Sequence, residues 1–198
     1  MLKLKKVAVT GAISSGKSTV CRFLKELGAY TVSADEIVHK LLSPHSLTGQ
    51  KVLELLGQNV IQHNNINRQK VAEKVFNDPD LLKALEAILH PAVSDEIRNE
   101  YAKAEALQTS TCFVAEVPLL FEAHMEKEFD AVIAIDASDA DCLAWHIQAG
   151  GSKKSYEERM RNQFSGIQKL HMAPYHLKNN GDLEQLKIET AKLYQQLI

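Results

Sequence analysis

Short apolar runs recur along the chain, and longer helical patterns separate them. The strand-like runs are Val7–Thr10, Tyr30–Ser33, Cys112–Val117, Ala131–Asp136 and, more weakly, Tyr175–Lys178. Strands that alternate with helices favour a parallel sheet with right-handed crossovers. The pattern therefore predicts an α/β fold.

Two segments depart from this alternation. From about residue 48 to 108 the chain has successive helical patterns, and only the NVIQHNNIN stretch resembles a short hairpin or loop. A helical block between the second and third predicted strands indicates a substrate-binding layer. Residues 141–170 have a charged helical pattern interrupted by Gly150-Gly151. Paired glycines there indicate a flexible tip, which is typical of a lid.

Composition narrows the class of protein. The chain has 198 residues, of which 45% are hydrophobic and 24% are charged, values that exclude a globally disordered, collagen-like or coiled-coil protein. A net charge of -2 argues against a general nucleic-acid-coating role. Three cysteines without metal-site spacing indicate reduced thiols, and no apolar stretch has the length of a membrane span. We expect a cytoplasmic protein without a membrane or nucleic-acid partner; the sequence does not indicate its oligomeric state.

The strongest chemical signal is GAISSGKST at residues 11–19, which matches the phosphate-loop pattern G-x-x-x-x-G-K-[ST]. A predicted strand precedes it and a predicted helix follows it, so a chance glycine turn is the weaker alternative. Backbone N–H groups and the helix N-terminus bind phosphates, Lys17 reaches the terminal phosphates, and the Ser18 hydroxyl can ligate Mg2+. The predicted ATP contacts are Ser14, Ser15, Gly16, Lys17, Ser18 and Thr19.

The class of phosphate-loop protein follows from what accompanies the motif. The chain has neither the NKxD nor the DxxG segment of a switch GTPase, and motor-type ATPases are normally longer. Its length, helical insertion and lid-like segment fit a small-molecule kinase. Such a kinase needs a carboxylate near the incoming hydroxyl. Asp35, which follows the second strand, is the best candidate, although it can also act as a helix N-cap, a role open to Ser33 as well.

The chain resembles the dephospho-coenzyme A kinase family. The resemblance rests on SADEIVHKLL after the phosphate loop, on segments 66–76, 85–93 and 114–122, and on Asn-Asn-Gly at 179–181. It implies a P-loop kinase with a five-stranded parallel sheet core (1–47, 109–140 and 171–198), an inserted helical substrate domain (48–108) and a helical lid (141–170). It also implies Mg2+-dependent transfer of the ATP γ-phosphoryl group to the ribose 3′-hydroxyl of dephospho-coenzyme A. The alternative is a kinase for another nucleotide or small molecule.

The resemblance also implies roles for single residues. Asp35 matches the family's general base, whereas Ser33 stands where the family usually has another aspartate. Arg68 is expected to hold an anionic substrate group, with a solvated helix start as the alternative. His90 matches the family's His-Pro step, where a proline break between two helices is an equal alternative to substrate contact.

Further positions are implied at the strand ends. Leu119 and Leu120 are expected to wall the acceptor pocket. Glu116 and Glu122 can support Mg2+ through water or pair with a cation, and pairing is the default; Glu122 is also a candidate substrate contact. Asn179 is expected to lie in a loop that packs on adenine, with a simple turn as the competing interpretation.

The lid departs from the family pattern. Two arginines that the family carries four residues apart correspond here to Trp145 and Ala149, which cannot neutralise phosphoryl charge. Three interpretations remain open: a nearby cation replaces them, the enzyme is slow, or the chain is a degenerate paralogue that only binds nucleotide. The candidate cations are Lys153, Lys154, Arg159 and Arg161, with Arg159 ranked first as a catalytic residue.

Overall fold

The computed structural model describes residues 3–75 and 78–198, so Phe76, the last residue of the matched segment 66–76, lies outside the described residues. The strands are β1 (Lys5–Gly11), β2 (Tyr30–Ser33), β3 (Ile61–Gln62), β4 (Asn65–Ile66), β5 (Cys112–Glu116), β6 (Ala131–Asp136) and β7 (Tyr175–Lys178). The helices are α1 (Lys17–Glu26), α2 (Ala34–Leu41), α3 (Leu47–Leu56), α4 (Arg68–Val75), α5 (Pro79–Leu107), α6 (Asp139–Gln148), α7 (Lys153–Arg161), α8 (Gly166–Met172) and α9 (Leu183–Leu197).

Five strands form one parallel sheet in the order β2-β5-β1-β6-β7. Central strand β1 is paired on both sides, with Val7 opposite Val114 in β5 and opposite Ala131 in β6. Central parallel strands are covered on both faces, so they appear in a sequence as continuous apolar runs. The predicted α/β fold with a five-stranded parallel sheet is confirmed, including the weakly patterned β7.

Tertiary contacts divide the chain into two compact units, Met1–Ser33 with Tyr101–Ile198, and Ala34–Glu100. The first unit contains the sheet and has its core between the sheet, α1 and α9. Leu24 of α1 and Leu193 of α9 belong to that core, and the Tyr194 hydroxyl donates to the Leu27 carbonyl at 2.9 Å. The predicted boundaries of core, helical domain and lid remain predictions.

The second unit contains α2 to α4, the β3-β4 hairpin and most of α5, around its own apolar cluster. His63 and Asn64 form the hairpin turn with φ of 48° and 60°, which confirms the short hairpin expected in this helical stretch. The expected helix break at Pro91 is wrong, because α5 continues from Pro79 to Leu107 through the proline. Proline removes one backbone donor, but residues buried on both sides of it, such as Leu85 and Val93, hold the helix together.

None of the helices in the described ranges is both long enough and apolar enough to span a bilayer.

Candidate active site

The phosphate loop runs from the end of β1 into α1, and its two motif glycines have conformations that other residues rarely adopt. Gly11 has φ of 147°, and a Cβ there would lie 2.9 Å from the Ile135 carbonyl oxygen. Gly16 has φ of 97°, and a Cβ there would overlap the Asn179 side chain. The loop can therefore follow this path only with glycine at both positions.

The Lys17 side chain turns back into the loop that precedes it. Its Nζ donates to the Ala12 carbonyl at 2.7 Å and to the Gly11 carbonyl at 3.4 Å, and only 8% of the residue is exposed. These carbonyl groups hold an ammonium group inside the loop. A positive charge surrounded by backbone in a glycine-rich loop suits a polyphosphate.

Ser18, in the first turn of α1, contacts the end of β5. Its hydroxyl donates to Oε1 of Glu116 at 2.8 Å. Glu116 is the last residue of β5 and is opposite Val9 in β1 and Ser33 in β2. A hydroxyl whose proton points at a carboxylate keeps its oxygen lone pairs available for a cation, as a Mg2+ ligand requires.

The loop after β7 packs against the phosphate loop and forms a hydrogen bond with it. The buried Asn179 amide donates to the Ser15 carbonyl at 2.9 Å, and its Oδ1 accepts from Gly181 N–H at 3.2 Å. The Ser15 N–H donates to the Ala12 carbonyl at 3.3 Å, and the Ser15 hydroxyl is buried without a partner among the described atoms. In this structure Asn179 and Ser15 maintain the loop, whereas their predicted ATP contacts remain predictions.

Residues of the predicted lid contact the phosphate loop through His146, which the sequence analysis overlooked. The imidazole of His146 lies between the hydroxyl groups of Ser14 and Ser155, with N···O distances of 3.4 Å and 2.9 Å. Ala12 also packs in a small cluster with Cys142 and Tyr156. Ser14 is 132 positions from His146, so no local sequence pattern indicates this contact.

The two positions that lack the family's arginines lie on α6 and just after it. Trp145 is close to the loop after β7, since a Cβ on Gly181 would lie 3.8 Å from the indole. Ala149 caps the end of α6 and is exposed. Arg159 is an exposed residue of α7. Its predicted role at the phosphoryl group remains a prediction.

A second overlooked residue, Lys169 of α8, has a fully buried side chain. Its Nζ lies 3.0 Å from Glu122 Oε1 and 2.6 Å from the Pro118 carbonyl oxygen. Burial lowers the pKa of Lys169, and the Glu122 carboxylate opposes that shift. Glu122 Oε1 also accepts from Phe164 N–H at 2.8 Å. Glu122 is thus in an ion pair, which was the default alternative to a role in Mg2+ binding.

The two leucines expected in the acceptor pocket both lie in the segment after β5, but they differ in solvent exposure. Leu119 is 41% exposed, whereas Leu120 is fully buried. Leu120 therefore packs against its neighbours in this structure, and its expected substrate contact remains a prediction. Thr10 donates to the Pro118 carbonyl at 3.2 Å and fixes this segment to the end of β1.

In the second unit, Asp35 and Arg68 line the same open pocket of about 460 Å³, together with Glu36, His39 and Lys40. Because α2 begins at Ala34, Asp35 lies within the first helical turn rather than before it, which does not favour the capping alternative. A carboxylate in a first turn is stabilised by the helix dipole.

His90 lies within α5 and is partly exposed. It is not among the residues that line the pocket with Asp35.

Comparison with known proteins settles the family. The profile of the dephospho-CoA kinase family matches residues 5–185. The chain belongs to the dephospho-CoA kinase family. A dephospho-CoA kinase of Protochlamydia amoebophila is 47% identical over 199 residues, covering 100% of this chain and 98% of the relative.

Two solved structures have the same fold, and one of them is named as a dephospho-CoA kinase. TT1252 from Thermus thermophilus superposes with a TM-score of 0.84 at 27% identity and 100% coverage of both chains. The dephospho-CoA kinase from Campylobacter jejuni gives a TM-score of 0.69 at 27% identity and 96% coverage of both. The predicted family and fold are confirmed.

Proposed function

We propose that this chain is a dephospho-coenzyme A kinase that transfers the γ-phosphoryl group of ATP to the ribose 3′-hydroxyl of dephospho-coenzyme A. The observation that carries the proposal is the phosphate loop, with Lys17 turned inside it and Ser18 bonded to Glu116. We infer the acceptor from two relatives that are named as dephospho-CoA kinases. We also expect the protein to act in the cytoplasm, as its composition predicts.

ATP is held by the loop. Backbone N–H groups of residues 14–19 and the start of α1 donate to phosphate oxygens, and Lys17 neutralises the terminal phosphates. Mg2+, which supplies charge neutralisation at the β- and γ-phosphates when bound, fits Ser18 as its protein ligand. Glu116 accepts a hydrogen bond from the Ser18 hydroxyl at 2.8 Å, which would leave the lone pairs of the hydroxyl oxygen available to the ion.

The acceptor side depends on Asp35. Its carboxylate orients the 3′-hydroxyl and takes the proton, as the O3′–P bond forms and the bond to the ADP leaving oxygen breaks. Arg68, in the same pocket, pairs with an anionic group of the acceptor. The other candidate acceptor contacts from the resemblance are His90, Leu119, Leu120 and Glu122.

The transferring phosphoryl group needs a cation that family members supply from the lid. Arg159 is our first candidate because it is exposed on α7 and comes before Gln163, as the family's later lid arginine does. An arginine in this role contributes a factor of roughly a thousand or more to the rate. Lys153, Lys154 and Arg161 are the remaining candidates.

One experiment tests the proposal. The full chain is incubated with ATP, Mg2+ and dephospho-coenzyme A, and the product is identified by mass, with release of ADP followed in parallel. Coenzyme A is the expected product. ADP release with a different nucleotide or small alcohol, and none with dephospho-coenzyme A, would assign the chain to another kinase activity.

A second candidate function is nucleotide binding without efficient transfer, because Trp145 and Ala149 stand where the family has arginines. ATP binding without phosphoryl transfer to any acceptor would support it. The double variant Trp145→Arg/Ala149→Arg measures the effect of the lid directly. A large rate gain would show that the native lid limits transfer.

A further inference from the structure

We propose that His146 is a positioning residue for ATP, which fixes the phosphate-loop residue Ser14 from the α6-α7 segment. This inference rests on the proposed function, since it assigns a role within the same ATP site. Nδ1 of the imidazole lies 3.4 Å from the Ser14 hydroxyl, and Nε2 lies 2.9 Å from the Ser155 hydroxyl. One side chain thus connects the phosphate loop with the first turn of α7.

The imidazole is held in place by its surroundings. His146 is only 8% exposed, and any side chain at position 151 would overlap the ring. The Gly151 N–H donates to the His146 carbonyl at 2.9 Å, and the Tyr156 ring lies 5.6 Å away, centroid to centroid. A buried polar ring is costly unless both nitrogens have partners, and here they do.

The hydrogen bonds of Ser155 determine the direction of the whole chain of contacts. Its hydroxyl donates to the Ser152 carbonyl at 2.9 Å and accepts from Ser152 N–H at 3.1 Å, within the capping box of α7. With its proton used in this way, Ser155 accepts from Nε2–H of His146. In a neutral imidazole Nδ1 then carries no proton, and it accepts a hydrogen bond from the Ser14 hydroxyl.

The conformation of Ser14 is expected to affect how tightly the phosphate loop binds ATP. It has φ of 56°, a left-handed conformation that is unfavourable for a residue with a side chain. In a phosphate loop, successive N–H groups must point at one anion, so the rotation of the peptides around Ser14 affects the fit of the triphosphate. A bond from Ser14 to a fixed imidazole holds this conformation before ATP arrives, and this lowers the ordering cost of binding.

Two substitutions of His146 distinguish the contribution of Nδ1 from that of Nε2. Asn places its amide near the Nδ1 position and can accept from Ser14, whereas Gln reaches the Nε2 position and can serve only Ser155. We expect His146→Gln and His146→Ala to raise the Kd for Mg-ATP by about two- to tenfold, the range that one neutral hydrogen bond supports. His146→Asn should stay near wild type, and the KM for dephospho-coenzyme A should not change in any variant.

The measurement is calorimetric titration with Mg-ATP in the absence of acceptor, followed by KM and kcat for both substrates. The titration still ranks the variants if dephospho-coenzyme A proves not to be the acceptor, so failure of the proposed function and failure of this inference are distinguishable. Gln148→Ala, at an exposed position of the same helix, is the matched control.

Ser14→Ala tests the same hydrogen bond from its other end. It leaves the buried imidazole in place, so its result is informative even if the His146 variants misfold. It should raise the Kd for Mg-ATP as His146→Gln does, and adding His146→Gln to it should cause no further rise. The proposal is overturned if Asn and Gln variants bind ATP equally well, if Ser14→Ala binds as wild type, or if only the melting temperature changes.

Discussion

The Ser18 hydroxyl and the Glu116 carboxylate form a hydrogen bond of 2.8 Å that joins the first turn of α1 to the last residue of β5. The bond connects two segments 98 positions apart. It uses the Ser18 proton, so the lone pairs of the hydroxyl oxygen stay available for a cation. Glu116 thus contacts Ser18 in this structure, whereas the two alternatives for it, Mg2+ support through water or pairing with a cation, remain predictions.

The first prediction concerns this bond. Glu116→Gln keeps the size of the side chain but removes the negative charge that orients the Ser18 hydroxyl. We expect the Mg2+ concentration for half-maximal activity to rise about tenfold, because loss of a residue that orients a metal ligand commonly costs 10- to 100-fold in metal affinity. Activity measured against free Mg2+ at saturating ATP checks this. An unchanged Mg2+ dependence would contradict the role of Glu116.

The second prediction concerns Lys17, whose Nζ is 2.7 Å from the Ala12 carbonyl. Lys17→Ala removes the cation that we propose for the terminal phosphates, and we expect kcat to fall by at least about a hundredfold. Lys25→Ala, at an exposed position of the same helix, is the control and should retain wild-type rates. Full activity of Lys17→Ala, with circular dichroism showing an intact fold, would refute the assignment.

The third prediction separates the chemical role of Asp35 from a structural one. Asp35→Asn keeps hydrogen bonding but cannot accept a proton, so kcat should fall by about 10²- to 10⁴-fold while the Kd for ATP stays within about twofold. Glu54→Gln, an exposed carboxylate of the same unit, is the control. A variant with normal kcat and a lowered melting temperature would instead support a role in helix α2 alone.

The sequence predicts the sheet well because its inner strands are covered on both faces, which leaves unbroken apolar runs such as AVIAI at residues 131–135 of β6. The phosphate loop is equally predictable, because Gly11 and Gly16 have conformations that demand glycine. His146 and Lys169 are not predictable in this way. Their partners are 132 and 51 positions away, and a lone histidine or lysine on a helix has no local pattern that distinguishes it from a surface residue.

At Pro91 the local sequence does contain a signal, but it predicts the wrong structure. The proline predicts a helix break, and tertiary packing keeps the helix continuous. Proline in a helix interior costs about 3 kcal/mol, which favours a break. Buried residues on both sides, Leu85 and Val93, oppose the break, and one long helix results. Tertiary packing of this kind has no signature within the few residues around the proline.

The fourth prediction concerns the buried pair of Lys169 and Glu122. Removing one partner leaves an uncompensated buried charge, which destabilises proteins by about 3–5 kcal/mol. We expect Lys169→Met to lower the free energy of unfolding by that amount, and Lys169→Met/Glu122→Gln to recover a large part of it. Urea unfolding of the two variants and wild type checks this. If the double variant is less stable than Lys169→Met, the pair does not compensate as inferred.

The fifth prediction concerns alkaline pH and the three buried thiols. Burial raises the pKa of both Cys112 and Cys142 to about 11, from an ordinary value of 9.0, and raises the pKa of Cys21 further. Above pH 9 the unfolded chain loses these protons and the folded chain keeps them, so the free energy of unfolding falls as the pH rises. Cys112 and Cys142 should each lower the free energy of unfolding by about 1 kcal/mol at pH 10 relative to pH 7.

Urea unfolding at pH 7, 8, 9 and 10 measures this dependence, and Cys142→Ala is the informative variant. It also loses packing, since Cys142 is fully buried next to Ala12 and Tyr156, and this loss lowers its stability at every pH. The comparison therefore uses the difference between the free energies of unfolding at pH 7 and pH 10, which should be smaller in the variant than in wild type by about 1 kcal/mol. Parallel curves for the two proteins would show that ionisation of the Cys142 thiol does not cause the alkaline loss.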